Sequence, residues 1–248
     1  MASLDSFPDG RDAVVIGASG GIGAALTLQL ADNDRIRRVF ALSRSQPEFL
    51  REKVVSGEID ICDEHSVARA LASLPTDVSP GIVIVASGIL HQGDTIQPEK
   101  TMGQISAAAM KRVLEINTVG PALVARYFLP KLDGEGKSVF AVLSARVGSI
   151  ADNRLGGWVS YRASKAAVNM VVRTLAIEQA RRRPESIVVS LHPGTVDTRL
   201  STPFSGRSRS PSLFSADQAA AYLLAVIDGL GADDSGGFFA WDGSRIEY

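Results

Sequence analysis

In the stretch G-W-V-S-Y-R-A-S-K-A-A-V-N-M (157–170), Tyr161 and Lys165 stand four residues apart. On a helix that spacing puts both on one face, one turn from each other. A free phenol has a pKa near ~10 and is a poor base at neutral pH; a neighbouring ammonium favours the phenolate and lowers that value. A tyrosine tuned in this way can give a proton to an oxygen or take one away. An ordinary amphipathic helix that happens to carry Tyr and Lys satisfies the same spacing.

A second stretch bears on what the pair could act with. G-A-S-G-G-I-G (17–23) follows the apolar run A-V-V-I (13–16) and opens a helical pattern. Its glycines, Gly17, Gly21 and Gly23, let the backbone turn sharply and approach a ligand closely. Ser19, Gly20 and Ile22 complete the turn, and the helix N-terminus offers free N–H groups to a phosphate. A tight strand-to-helix turn with no ligand is the plain alternative.

The elements that must position these residues are visible as an alternation. Short β-branched runs at 13–16, 39–43, 81–85, 139–143 and 187–191 are separated by helical spacings such as Ile22, Ala25, Leu26 and Leu30. Nearly continuous apolar strands between helices predict an α/β fold, a doubly wound parallel sheet covered on both faces. The chain has 248 residues, 45% hydrophobic, with a formal net charge of −1. That length and continuity predict a single domain over 1–248. The stretch 201–215, rich in Ser and Pro but apolar at Phe204, Leu213 and Phe214, reads as a mobile loop over a substrate. The near-neutral charge gives no reason to expect nucleic acid or an anionic membrane surface. No apolar run approaches the ~20 residues that cross a bilayer. Cys62 is the single cysteine, which excludes an intrachain disulfide and fits a reducing cytoplasm.

Taken together, the glycine turn and Y-x-x-x-K resemble the short-chain dehydrogenase/reductase family over nearly the whole chain. That family has a Rossmann fold and moves a hydride between NAD(P) and a carbonyl or secondary alcohol. The resemblance makes Tyr161 the acid/base and Lys165 its partner, also holding the nicotinamide ribose. It implies that Asn117, in E-I-N-T-V-G-P, interrupts a long helix so that its carbonyl can hold a proton-relay water. The family's usual threonine before the first glycine is replaced by Ile16. Asp60 and Ile61 match the adenine contacts, although Asp60 could equally face solvent. Ala86, Ser87 and Gly88 replace the usual N-N-A-G segment with both asparagines lost. Pro193, Gly194, Val196 and Thr198, in H-P-G-T-V-D-T, resemble the segment that passes the nicotinamide. Arg44, with Ser43 beside it, ends the second strand, and no acid lies between residues 39 and 47. A guanidinium there welcomes a 2′-phosphate, so NADP(H) is favoured, with NAD(H) still possible.

The family's catalytic serine follows the fifth strand. Here the segment reads L-S-A-R-V-G-S (143–149). Anchoring on Gly148 puts Ala145 in the catalytic slot, with Ser144 before it and Ser149 after the turn. Three readings stay open: Ser144 serves, Ser149 serves, or no serine assists. The longer string through I-A-D-N-R-L-G-G-W resembles the C-factor branch of the family, bacterial proteins linked to cell–cell signalling. The two functions in view are therefore an NADP(H)-dependent oxidoreductase and a nucleotide-binding signalling protein with weak catalysis. The resemblance implies a homodimer or homotetramer packed through helices near 104–130 and 159–183. His91, Arg154 and Trp158 are the candidates for the substrate pocket or its rim. No metal site is expected.

Overall fold

Runs buried at every position have no solvent face to offer and fold as interior strands of a parallel sheet. The computed structural model, which describes residues 3–198 and 213–248, shows this for β4 (Pro80–Val85) and β5 (Ser138–Leu143), each buried throughout. Beside them lie β1 (Arg11–Ile16) and β6 (Ser186–His192). The sheet continues through β2 (Ile36–Ser43) to β3 (Val54–Glu58) on one side, and to β9 (Phe238–Ala240) on the other. The order is β3-β2-β1-β4-β5-β6-β9, and every neighbouring pair is parallel. A further small pair joins β7 (Thr195–Val196) to β8 (Leu213–Phe214).

Side chains alternate across the sheet and feed two cores. Ala13 and Val15 pack with α1 (Gly21–Ala31) and α6 (Ala216–Gly229) through Leu26, Leu30, Leu223 and Ile227. Val14 and Ile16 point the other way, toward α2 (Glu64–Ala72), α4 (Gly120–Phe128) and α5 (Val159–Ala180) through Val67, Val124, Phe128, Val168 and Val172. This is the predicted single-domain, doubly wound arrangement. Its strand order reverses between β1 and β4, where such folds open a crevice at the carboxyl ends. α3 (Ala107–Leu114) runs into a π-helical turn at Glu115–Val119 before α4 begins.

Two strands escaped the sequence pattern for a physical reason. β3 is a half-exposed edge containing Gly57, and β9 is three residues long. Neither shows the continuous apolar run of an interior strand. Most of the expected 201–215 loop lies outside the described residues; of it, Leu213 and Phe214 form β8, and Ser215 caps α6 by accepting from Gln218 N. No described helix is long and apolar enough to cross a membrane, and the described residues contain no metal-binding cluster.

Candidate active site

The glycine turn joins β1 to α1. Gly17 sits at φ +90°, and a Cβ there would lie 2.7 Å from Ser87 Oγ. A Cβ on Gly23 would collide with Gly17 O, so the helix can close on the turn only without one. These glycines line a cavity of about 730 Å³ that reaches Ser43, Arg44, Asp60 and Ile61 at the ends of β2 and β3. A second cavity, about 480 Å³, contains Tyr161, Lys165 and Ser144. Ile22, Ala86, Ser87, Gly88, Leu90 and Thr198 border both, so the two form one continuous crevice. Pro193, Gly194 and Val196 line the smaller one, and Ser19, Gly20 and Gly21 the larger. Every expected cofactor residue except Asn117 therefore faces this crevice.

Within the larger cavity the polar groups differ in what they have left to offer. The Ser43 hydroxyl is buried and has no partner among the described residues. Arg44 is exposed and makes no ion pair there. Asp60 Oδ1 accepts from Cys62 N at 2.9 Å, which ties one carboxylate oxygen into the local turn. The neighbouring Asp63 caps α2 by accepting from His65 N. His91 lies on this larger cavity rather than the smaller one, whereas Arg154 and Trp158 line the smaller.

α5 carries the reactive pair. Lys165 Nζ lies 5.8 Å from the Tyr161 ring centroid and donates to Leu143 O at 2.8 Å. The expected lowering of the Tyr161 pKa by the ammonium does not prevail in the free protein. Burial pushes the phenol up to about 12 and the Lys165 ammonium down to about 8. Both groups lose water, and desolvation outweighs their mutual attraction. The phenol is thus protonated at neutral pH, in the state that gives a proton away.

Asn117 is wholly buried in the π-helical turn. Its Oδ1 accepts from Ile89 N and its Nδ2 donates to Ile89 O, each at 2.8 Å. Nδ2 also lies 3.0 Å from Ser164 Oγ. The side chain thus binds the segment after β4 to the helix bearing Tyr161. The break in the helix is where the sequence resemblance puts it.

Two of the serine readings separate on geometry. Ser144 follows β5 directly, its N–H donating to Leu191 O at 2.8 Å, while its hydroxyl is buried, lines the smaller cavity and has no partner among the described residues. Ser149 is also buried, but its Oγ accepts from Asp152 N at 3.1 Å, and the residue does not line that cavity. Gly148 explains the anchor used to align this segment. A Cβ there would stand 2.7 Å from Lys165 Cβ, so the turn at Arg146–Gly148 packs directly on α5.

Other groups in the crevice were not legible as site residues. Arg146 and Arg162 line the smaller cavity, and Arg112 and Cys62 the larger. Arg162 follows Tyr161 directly, yet nothing in its spacing announces the cavity. His192 is mostly buried, with no partner for its Nδ1 among the described residues; burial first, and Arg146 second, lower its pKa to about 4. It is neutral at physiological pH.

A doubly wound sheet with a glycine turn, a Tyr–Lys pair on one helix and a crevice joining them describes a nucleotide-dependent oxidoreductase fold. The chain matches the family model for the short chain dehydrogenases over residues 11–207 and belongs to that family. It is 32% identical to the 1-hydroxy-2-glutathionyl-2-methyl-3-butene dehydrogenase of Rhodococcus sp. (strain AD45), across 95% of this chain and 98% of that protein. It is 36% identical to C-signal of Myxococcus xanthus, across 59% of this chain and 83% of that protein. Among solved structures, the NADPH-bound carbonyl reductase from chicken fatty liver superposes with a TM-score of 0.83 at 26% identity, covering 98% of this chain and 96% of that chain. The protein is an oxidoreductase of the short-chain dehydrogenase/reductase family, with its similarity to C-signal bearing out the expected branch.

Proposed function

We propose that the protein reduces a carbonyl compound to a secondary alcohol with NADP(H), Tyr161 giving the proton. The observation that carries this reading is the buried Tyr161, one helical turn from Lys165, at the end of a crevice continuous with the glycine turn. The crevice fits the dinucleotide. Gly17 and Gly23 leave no room for a Cβ and bring the backbone close, the Ser43 hydroxyl awaits an acceptor or donor, and Arg44 is unpaired where a 2′-phosphate would stand. NADP(H), when bound, supplies or accepts the hydride. Asp60 and Ile61 would hold the adenine end, and Pro193, Gly194, Val196 and Thr198 the nicotinamide end. The NADPH carried by the chicken carbonyl reductase supports the same choice.

The protein's own part is to hold the carbonyl oxygen and manage one proton. Ser144 Oγ, without a partner among the described residues, would donate a hydrogen bond to that oxygen, as would the Tyr161 hydroxyl. As the oxygen gains negative charge, the phenol proton passes to it and the alcohol forms. Lys165, buried on the same helix face, stabilises the phenolate left behind until solvent returns a proton to Tyr161, by the water route at the Asn117 helix break that the family resemblance implies. A nucleotide-binding signalling protein with weak or vestigial catalysis is the second reading, favoured by Ala145 in the family's serine slot and by the similarity to C-signal.

The two are separated by following NADPH absorbance against a panel of aldehydes and ketones. The expected result is turnover that Tyr161→Phe reduces by ~10²–10⁴-fold while NADPH binding, read by its fluorescence, persists. NADPH binding without turnover on any carbonyl would establish the second reading. Arg44→Ala should weaken NADPH more than NADH in the same titration, and equal weakening would return the preference to NAD(H).

A further inference from the structure

The smaller cavity contains more positive charge than proton transfer needs. Arg146, Arg154 and Arg162 all line it, alongside Lys165, against one carboxylate, Asp152, among the described lining residues. None of the three arginines lines the larger, glycine-turn cavity, so they stand apart from the groups that face the dinucleotide phosphates. They reach the cavity from three segments. Arg146 sits in the turn just past Ser144, Arg154 lies in the loop that leads to α5, and Arg162 is the residue after Tyr161.

Two carboxylates, Asp152 and the more distant Asp242, act on Arg146, while Arg154 and Arg162 have no acidic partner among the described residues. Arg162 Nε donates to Gly156 O at 3.2 Å and Gly157 O at 3.0 Å, and Nη1 to Val147 O at 3.3 Å. These are neutral carbonyls that fix the guanidinium without cancelling its charge. Arg146 Nη1 stands 3.6 Å from Asp152 Oδ2, a separation too long for a good hydrogen bond, with both side chains about half exposed at 49% and 51%. Arg154 is exposed and has no hydrogen bond or ion pair among the described residues. The wall also carries an apolar part, with Leu90, Leu143, Val147 and Trp158. Trp158 meets the Tyr161 ring edge-on at 6.3 Å between centroids, so the apolar wall begins beside the phenol.

We infer that the substrate is a carbonyl compound with an apolar body and a carboxylate arm, the arm held by Arg154 and Arg146 at the cavity rim. This rests on the reductase reading of the same cavity. A planar carboxylate suits the guanidinium fork and can be held by two parallel hydrogen bonds. A monoanion is favoured over a dianion because Asp152 shares the rim and repels the second charge. Arg162, already committed to three carbonyls, adds field rather than contact. The cavity discriminates between acid and neutral ester through this wall, while the apolar face accepts either body.

The test uses the full chain with NADPH and a matched pair, benzoylpropionate and its methyl ester. The expected result is a higher kcat/KM for the acid. Arg154→Ala should cut the acid-over-ester ratio ~5–10-fold, Arg146→Ala similarly, and Arg154→Glu should reverse the preference. A binding titration by tryptophan fluorescence provides a readout besides turnover, with the acid's affinity falling as salt rises and the ester's holding. A ratio at or below one, a ratio that the variants do not move, or no acid preference in the titration overturns the inference. So does a weakened NADPH affinity in the arginine variants, which would assign these side chains to the cofactor. NADPH binding with no turnover of any carbonyl sinks the reductase reading instead.

Discussion

A buried hydroxyl without a partner is costly unless something arrives to use it, and among the described residues Ser144 is in that position while Ser149 is not. Ser144→Ala should lower kcat by ~10²–10³, the size typical of a lost oxyanion donor. Ser149→Ala should instead cost ~1 kcal/mol of stability through the lost bond to Asp152 N, which urea denaturation would read. Equal kinetic losses from the two variants would sink the distinction. Lys165 allows a test against pH. Its folded pKa is lowered from 10.5 to about 8 by burial. Between those values the unfolded chain binds more protons than the folded one, so stability rises with pH across that window. Lys165→Met removes the buried charge, so it should raise stability below pH ~8 by about 2 kcal/mol, net of the lost bond to Leu143 O. That gain should shrink as pH climbs and turn into a loss of up to about 1 kcal/mol at pH ~10.5, where the neutral lysine keeps its bond to Leu143 O, and melting curves of the two proteins at several pH values would show it. The Tyr–Lys pair was legible in the sequence because helical spacing alone puts the two together. Ser144 was legible only as one of three open readings, since a strand end shifted by one residue decides which side chain enters the cavity.

The helix that carries the pair begins in an unusual way. Trp158, at its N-cap, has φ +50° and no capping side chain, and it follows Gly156 and Gly157 at φ +64° and +67°. The cap comes from elsewhere in the chain. Glu99, 3% exposed, accepts from Ser160 N at 3.2 Å and from Ser160 Oγ, and its backbone oxygen accepts from Trp158 N at 2.6 Å. A carboxylate at this end also suits the positive pole of the helix. Ser160 immediately precedes Tyr161, so Glu99 fixes where the phenol starts. Glu99→Ala should cost ~1–3 kcal/mol by leaving the Ser160 groups unpaired, and should lower kcat more than it raises KM. Glu99→Gln, whose Oε1 can still accept from Ser160 N while its Nε2 donates to the Ser160 hydroxyl, should recover most of each loss; if it behaves like alanine, the positioning role fails. This contact spans 61 residues and leaves no local sequence signal. The break at Asn117 was readable through the resemblance, but the use of its side chain to clamp Ile89 to Ser164 was not. That clamp depends on tertiary proximity.

Across the whole molecule, chemistry and stability occupy opposite ends of one sheet. The glycine turn, Arg44, Gly88, Ser144 and Pro193 all follow the carboxyl ends of their strands, as the alternation of strands and helices led one to expect for a doubly wound fold. The amino ends hold a charge network that the sequence pattern concealed, because its members are spaced like ordinary surface residues. Asp12, 1% exposed at the start of β1, pairs with Arg37 at 2.5 Å and Arg38 at 2.9 Å. Asp77 bridges the same two arginines from before β4, at 3.2 and 2.9 Å. Removing Asp12 would leave Arg37 and Arg38 with Asp77 as their one remaining carboxylate partner among the described residues. Both arginines reach solvent, at 45% and 25% exposure, which softens the loss. Asp12→Ala should therefore cost about 3 kcal/mol, the lower end for a broken buried pair, measured by urea denaturation. Because the network lies at the far end of the strands from the crevice, the NADPH dissociation constant of the folded variant should stay within ~2-fold of the parent. A variant that keeps its stability would show that Arg37 and Arg38 are satisfied by Asp77 and water alone, and one that loses cofactor affinity would show that strain at the amino ends reaches the crevice.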